Sequence, residues 1–132
     1  MNQFTESKRH QRSYTPEGLS VLRGPGEEYS AGAIWTVGDQ HGYAELMLMH
    51  DSKAYHPKTL YIEDIRIKEN ERKKGYGRQL FQKIETMAKK MGLDYIQLDS
   101  ELDAVGFWHK MNFKDIDVVY YQNKTAMIKE IK

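Results

Sequence analysis

The sequence predicts an α/β (α+β) fold in which helices pack against one sheet. Three observations lead to this prediction: a first half rich in strand-like apolar runs, two later segments with helical spacing separated by a short strand, and a strand-rich C-terminal end. A chain of 132 residues is long enough for one hydrophobic core and too short for two. We therefore expect a single domain over residues 1–132.

The N-terminal segment carries the weakest signals. Residues 1–15 are polar and lack periodicity, which indicates a loose tail or a short edge element. Two glycines and a proline within residues 24–28 predict a turn, and the apolar residues before it predict a short strand at 19–23.

A β-hairpin is predicted next, from residues 31–37 and 43–50. Its connection contains Gly38 and Gly42, which suit the positive φ angles of a short loop. The second strand is partly apolar on both faces, and we expect it to lie inside the sheet.

The most informative segment is the basic turn at residues 69–78, E-N-E-R-K-K-G-Y-G-R. It follows a β-branched strand at 60–67 and precedes an amphipathic helix that ends near Met91. Backbone N–H groups at the start of a helix, together with the helix dipole, favour an anion. Gly75 and Gly77 allow a ligand to approach the backbone, and nearby cations can reach phosphate oxygens. The turn is therefore predicted to bind a phosphate or pyrophosphate.

The helix and the elements after it carry their own end signals. Gly92 is placed for a left-handed cap, with Leu93 closing the apolar contact. A strand is predicted at 95–98. The polar residues after it are candidate N-caps of a second helix, which would run to Met111 and stop at Asn112; they are Asp99, Ser100, Glu101 and Asp103.

The C-terminal end is predicted to form two strands, at 113–119 and 124–131, with a polar tip between them. The last strand could pair with the edge of a second copy, but its alternating charges equally suit a protected edge. The sequence therefore leaves both a monomer and a homodimer open.

Composition excludes several classes of function. The net charge of +1, from 20 basic and 19 acidic residues, predicts neither a nucleic-acid nor a membrane partner. There is no cysteine, and the five histidines show no metal-binding spacing, so no metal site is expected. Without a long apolar stretch or a leader-like N-terminus, we expect a cytoplasmic protein.

The R-x-x-G-x-G pattern from Arg72 to Gly77 resembles the acetyl-CoA binding turn of the GCN5-related N-acetyltransferases (GNAT). The resemblance implies a mixed, mostly antiparallel sheet, splayed between strands 60–67 and 95–98, with the pantetheine arm of coenzyme A in the gap. The N-terminal portion is short for the family and leaves little sequence for the two helices that usually roof the acceptor site, so we expect these helices to be reduced. The residues assigned to coenzyme binding are Ile65, Arg66, Ile67, Arg72, Lys73, Lys74, Gly75, Tyr76, Gly77, Arg78 and Trp108.

The second helix departs from the family pattern at one important position. The family often has A-x-x-x-Y-x-K-x-G-F, and this chain has A-V-G-F-W-H-K-M-N-F from Ala104 to Phe113. In many members that tyrosine donates a proton to the departing thiolate. Trp108 cannot, because an indole N–H has no useful acidity, although it can pack against the pantetheine. Glu101 also replaces a frequent asparagine.

Glu63 is the predicted catalytic base, because the family often places a glutamate in the middle of this strand. Alternation puts it on one face with Tyr61 and Ile65 and puts Asp64 on the other, so only one of the two acids would reach the cleft. Partial burial would raise its pKa. The alternative is that Glu63 pairs with a nearby cation on a half-exposed strand.

The general acid is left open. Four side chains are possible by residue type, and a thiolate can also leave unaided or take its proton from water. The four are Tyr76, His109, Tyr120 and Tyr121.

The resemblance implies transfer of an acetyl group from acetyl-CoA to a primary amine on a small molecule or a peptide. Two alternatives stay open. One is a non-catalytic acyl-CoA binding or regulatory module, which Trp108 favours. The other is a nucleic-acid binder that uses the basic turn with Tyr76 as a stacking residue, which the balanced charge disfavours.

Overall fold

The computed structural model describes residues 13–15, 17–29 and 32–132. In this part of the chain, eight strands form one sheet in the order β1-β2-β3-β4-β5-β6-β8-β7. The strands are β1 (Ser13–Tyr14), β2 (Ser20–Tyr29), β3 (Gly32–Asp39), β4 (Gly42–Met49), β5 (Thr59–Ile67), β6 (Tyr95–Glu101), β7 (Lys114–Asp115) and β8 (Lys124–Glu130). The helices are α1 (Tyr76–Lys90) and α2 (Val105–Lys110), with single 3-10 turns at Glu69–Glu71 and Leu102–Ala104.

The sheet is mixed and mostly antiparallel, as predicted. Neighbouring strands run antiparallel except β5 and β6, which are parallel. A parallel pair needs a crossover, and α1 supplies it. Within the described residues no α-helix precedes Tyr76, and residues 1–12 of the predicted tail lie outside the described part. Neither helix of the described chain is long and apolar enough to cross a membrane.

α1 packs its apolar stripe against one face of the sheet. The stripe consists of Leu80, Phe81, Ile84, Met87 and Ala88, and it meets the buried strand residues Leu46, Leu60, Ile62, Ile96 and Leu98. Burial of such a stripe is the main source of stability for a helix of this length. Met91, near which the sequence predicts that the helix ends, is the C-cap residue of α1 and is 41% exposed.

Both predicted helix ends are confirmed. Gly92 has φ +80°, and the Leu93 N–H donates to the Ala88 carbonyl at 3.1 Å. Asn112 has φ +71°, and the Phe113 N–H donates to the Trp108 carbonyl at 3.0 Å. In each case, the left-handed residue turns the chain back so that an otherwise unpaired carbonyl is satisfied.

The predicted caps of α2 are wrong. β6 continues to Glu101, and Asp99, Ser100 and Glu101 pair with β8 instead of capping a helix. α2 begins after the 3-10 turn, and its N-cap makes no side-chain hydrogen bond. Strand pairing therefore overrides the local capping preference of these short polar residues.

The predicted turn at residues 24–28 is also wrong. β2 runs without interruption from Ser20 to Tyr29, and its register against β3 shifts between Val21 and Arg23 and again between Arg23 and Glu27. The glycine and proline residues therefore lie in β-bulges, which accommodate residues that do not fit a regular ladder.

The β3–β4 hairpin is confirmed, but its glycines serve a different purpose from the one predicted. Gly38 and Gly42 lie in the strands, and neither has a positive φ. A Cβ on Gly42 would lie 2.0 Å from the Arg66 carbonyl oxygen, and one on Gly38 would lie 2.7 Å from the Gly42 carbonyl oxygen. Glycine is needed here because the backbones approach too closely for any side chain.

The C-terminal strands differ from the prediction in length and place. The strand predicted at 113–119 shortens to Lys114–Asp115, and β8 pairs with β6 on one side and β7 on the other. β8 is therefore an interior strand, and the predicted choice between an open and a protected edge does not apply to it.

Candidate functional site

A β-bulge at Glu63 reverses the alternation of β5. Glu45 of β4 pairs with Asp64, whereas the adjacent Leu46 pairs with Ile62, so Glu63 is the extra residue. As a result, Ile65 and Ile67 join Leu60 and Ile62 on the side of the hydrophobic core. The prediction that Ile65 shares a face with Tyr61 is therefore wrong.

A cleft opens where β5 and β6 separate. Their parallel pairing stops at Ile62 and Leu98, and both strands continue beyond that point. The cleft has a volume of about 280 Å³. It is lined by Ile62, Glu63, Asp64, Ile65, Ile67, Gly77, Leu98, Asp99, Ser100, Glu101, Ala104, Phe107, Trp108 and Lys124. The splay between these two strands is thus where the family resemblance implies it.

Several predicted site residues line this cleft, whereas Arg66 does not, although it lies between two residues that do. Ile65, Ile67, Gly77 and Trp108 all line it. The guanidinium of Arg66 is exposed, and it donates to the Asp64 carboxylate at 3.1 Å. The family resemblance assigns Ile65, Arg66 and Ile67 to coenzyme binding through their backbone groups, so the side-chain position of Arg66 does not bear on that prediction.

The basic turn ends at the N-terminus of α1, beside the cleft. Gly75 is the N-cap residue, with φ +84°, and no side chain caps the helix. Among the described residues, no backbone carbonyl accepts from the N–H groups of residues 73–78; the next amide along, that of Gln79, donates to the Gly75 carbonyl at 3.1 Å. The amides of residues 75–78 are therefore available at the positive end of the helix dipole, and those of residues 73 and 74 precede them in the turn.

The cationic side chains of the turn differ in whether they are held by a hydrogen bond. Lys73, Lys74 and Arg78 are exposed. Arg72 is exposed as well, but its Nε donates to the Ile67 carbonyl at 3.1 Å, which ties the turn to the end of β5. Lys73 holds φ +65°, an uncommon value for a residue with a side chain.

Tyr76 is anchored by the β3–β4 connection. Its ring stacks on His41 with 3.5 Å between ring centroids and 5° between planes, and His41 Nδ1 lies 2.7 Å from Glu71 Oε1. The side chain of Tyr76 therefore holds the turn against the sheet, and only its backbone N–H belongs to the row of available amides.

Trp108 joins the cleft to the core. It is 5% exposed and packs edge-on against Phe81, Phe107 and Phe113, with centroid distances of 5.6, 4.9 and 5.2 Å. Such edge-to-face contacts fix the ring orientation. The indole is consequently a rigid wall of the cleft.

Glu63 lies at the point where β5 and β6 separate, directly after the last residue of β5 that pairs with β6. Partial burial raises its pKa, and the neighbouring carboxylates of Glu45, Asp64 and Asp99 raise it further, while Lys124 opposes them. Asp64 also lines the cleft, so the prediction that only one of these acids reaches it is wrong. The bulge is the cause, because it turns consecutive side chains toward the same opening.

A second pocket lies on the other face of the sheet. It has a volume of about 300 Å³ and is lined by Met47, Met49, Lys53, Tyr61, Glu63, Gln97, Asp99, Tyr120 and Tyr121; we call it the tyrosine–methionine pocket. Glu63 and Asp99 line both this pocket and the cleft. The two openings therefore meet at a pair of carboxylates.

Sequence reasoning missed Tyr61, Gln97 and Asp99 as site residues. The Tyr61 hydroxyl donates to Asp99 Oδ2, and burial together with this hydrogen bond raises the pKa of Tyr61 strongly. Tyr61 and Gln97 are register partners on β5 and β6. Their strand periodicity was a usable signal, but Asp99 was assigned to a helix cap.

The four candidate acids are dispersed. Tyr76 stacks on His41, and His109 Nε2 lies 2.7 Å from Asp115 on the surface. Tyr120 and Tyr121 line the tyrosine–methionine pocket but not the cleft. None of the four lines the opening beside Trp108.

Comparison with known proteins gives a consistent family match. The profile of the Acetyltransferase (GNAT) family matches residues 3–113. Similar solved structures share the fold at low identity. The PaiA N-acetyltransferase from Thermoplasma acidophilum, in complex with coenzyme A, is 20% identical with a TM-score of 0.60; the match covers 74% of this chain and 60% of that one.

Two further structures show the same likeness. Tetrahymena GCN5 is 18% identical with a TM-score of 0.57, over 86% of this chain and 68% of that one. An acetyltransferase of the GNAT family from Staphylococcus aureus Mu50 is 15% identical with a TM-score of 0.57, over 78% of this chain and 70% of that one.

Proposed function

Because the chain belongs to the GNAT family of acetyltransferases, we propose that it transfers an acetyl group from acetyl-CoA to the primary amine of an acceptor. The observation that carries this proposal is the continuity of three features: the row of available amides at residues 73–78, the cleft between β5 and β6, and Glu63 at its far side.

The turn and the cleft suit the two ends of coenzyme A. A pyrophosphate would accept hydrogen bonds from the amides of residues 73–78, with Lys73, Lys74 and Arg78 adding charge from the surface. The pantetheine arm would lie along Ile65 and Ile67, whose side chains form the apolar wall of the cleft. In this arrangement Trp108 would confine the arm near its thioester end.

Glu63 is proposed as the general base. The amine nitrogen attacks the thioester carbonyl, the nitrogen–carbon bond forms, and the carbon–sulfur bond breaks. Glu63 takes the proton that the nitrogen loses and returns it to solvent, and the thiolate leaves and takes a proton from water. Its raised pKa brings the carboxylate closer to the range that a base needs near neutral pH.

A cofactor-binding module without catalysis is the second candidate. The observation that favours it is Trp108, a buried indole at the position of the usual tyrosine acid. Thiolate release without an acid is chemically possible, because a thiol with a pKa near 8.5 is a good leaving group. For this reason we favour the enzyme.

The binding part of the proposal is tested by thermal unfolding with coenzyme A. At about a hundred times its dissociation constant, the ligand should add about 2.7 kcal/mol to the free energy of unfolding. Gly77→Leu should remove this stabilisation, because Gly77 lines the cleft and a side chain there points toward Ile67 and Phe107. The substitution itself should not harm the helix, since leucine favours helix more than glycine does.

Gly106→Leu is the matched control. Gly106 is an exposed helical glycine that lies outside the cleft lining and has open space around its Cβ. This variant should keep the full stabilisation by coenzyme A. Turnover is then followed with acetyl-CoA and a panel of amines by thiol release. Stabilisation without release above background would favour the binding module, and an unchanged response of Gly77→Leu would refute the placement of the arm.

A further inference from the structure

We infer that the acceptor is a small primary amine carried on an aromatic or branched apolar body, and that the tyrosine–methionine pocket binds it. This inference rests on the proposed function and names the substrate class of the same site. The first observation is the position of the pocket, which lies on the opposite face of the sheet from the core and meets the cleft at Glu63 and Asp99. An amine held there approaches a thioester in the cleft from the far side.

Two buried oxygen atoms of pocket-lining residues lack a hydrogen-bond donor within the described part of the chain. Gln97 is 2% exposed, and neither its Oε1 nor Asp99 Oδ1 has a hydrogen-bond partner among the described residues. A buried acceptor without a partner is costly, by about 1–3 kcal/mol. The N–H groups of an ammonium or amine are the donors that would satisfy both oxygens.

Tyr61 does not compete for these acceptors. Its hydroxyl already donates to the other carboxylate oxygen of Asp99, which fixes the ring. Asp99 therefore keeps one oxygen for a ligand and uses the other to hold Tyr61 in place. The result is an anionic acceptor beside an immobilised aromatic face, which suits a cation attached to an apolar group.

The walls of the pocket are apolar and only partly covered. Two thioether side chains, Met47 and Met49, line it with the rings of Tyr61, Tyr120 and Tyr121. Tyr120 is 50% exposed and Tyr121 is 52% exposed. The Lys124 ammonium lies 5.2 Å from the centroid of the Tyr121 ring, so one face of this ring already carries a cation. Ring and branched groups would bury the remaining surface.

Size and charge disfavour long polycationic acceptors. A volume of about 300 Å³ lies at the lower end of small-molecule sites, and it suits one ring with a short chain. The lining cation is Lys53, which would repel a second ammonium on the ligand. A polyamine would therefore place its further charges against methionines and a lysine.

The direct test compares four acceptors in thiol release with acetyl-CoA: 2-phenylethylamine, 3-methylbutylamine, spermidine and a lysine-containing peptide. We expect the two apolar amines to exceed the others in kcat/KM by about tenfold or more. A preference for spermidine or for the peptide would overturn the inference while leaving the acetyltransferase proposal intact.

Variants locate the binding site. Tyr121→Ala should raise the KM for 2-phenylethylamine about tenfold, through the lost aromatic contact, with little change in kcat or in the dissociation constant of coenzyme A. Gln97→Met, which removes the buried acceptor at similar volume, should also raise this KM. Val119→Ala is the control, since Val119 is 77% exposed and outside the pocket lining. An equal KM in Tyr121→Ala and the parent would place the acceptor elsewhere.

Binding is also measured without turnover, by calorimetry of 2-phenylethylamine with the protein in the presence and absence of coenzyme A. We expect binding that Tyr121→Ala weakens and Val119→Ala does not. If the amine binds in this pattern but coenzyme A gives no thermal stabilisation, the proposed function fails and the pocket assignment survives. If coenzyme A binds and the amine does not, the pocket assignment fails alone.

Discussion

Glu63 shows how one residue links the fold to its proposed chemistry. As the extra residue of a β-bulge, it is displaced from the regular ladder between β4 and β5. This displacement places Glu63 at both openings, where partial burial raises its pKa and three neighbouring carboxylates raise it further. Its identity as the candidate base came from the sequence, but its surroundings did not, because a bulge is not encoded in the alternation of one strand.

Replacement of Glu63 tests its role through pH. For the parent, kcat should fall as the pH decreases through the raised pKa of Glu63, because the protonated carboxyl cannot accept a proton. Glu63→Gln should lower kcat about a hundredfold or more and remove this acid limb. Glu45→Gln is the control: it removes a carboxylate that raises the pKa of Glu63, so the acid limb should move to lower pH at a similar maximal rate. The pH dependence of steady-state kcat measures both variants. A Glu63→Gln variant with parental kcat would contradict the role of Glu63 as general base.

At the scale of elements, the β5–turn–α1 unit was the most predictable part of the chain. Its signals are local: a β-branched run, glycines at a turn, and helical spacing closed by Gly92. The failures all concern strand pairing. The bulges of β2, the bulge of β5 and the extension of β6 through Asp99 depend on partners distant in sequence. No local pattern specifies them, and for this reason the acceptor side of the site could not be predicted.

Gly75 and Gly92 provide a matched pair for testing the turn. Their φ angles are +84° and +80°, and neither would place a Cβ within 4 Å of another group. Alanine at either position should therefore cost a similar backbone strain, about 1 kcal/mol. Both variants should lose a similar few degrees of thermal stability, whereas only Gly75→Ala should weaken coenzyme A binding, by about three- to tenfold. Equal affinity in the two variants would show that the geometry of the turn is not needed for binding.

The whole molecule has almost no net charge, so its electrostatics are local. The net charge is +1, and the basic turn itself contains Glu69 and Glu71. Its exposed cations are grouped beside the amides of α1; they are Arg72, Lys73, Lys74 and Arg78. A single small patch can attract a pyrophosphate at short range but cannot neutralise an extended row of nucleic-acid phosphates, which needs many separated contacts.

The salt dependence of binding distinguishes a turn that binds coenzyme A from a turn that binds nucleic acid. The dissociation constant of coenzyme A should rise several-fold between about 50 and 500 mM salt, since exposed charges are screened while hydrogen bonds from backbone amides are not. A Lys73→Ala/Lys74→Ala double variant should bind more weakly at low salt and show a shallower dependence, and Lys89→Ala, at the other end of α1, should match the parent. In fluorescence anisotropy with a labelled 20-nucleotide single strand, we expect a dissociation constant weaker than about 100 µM at physiological salt. Tight, salt-sensitive binding of this strand by a protein that ignores coenzyme A would instead favour the nucleic-acid alternative, because the same cations would then be neutralising phosphates of a polymer.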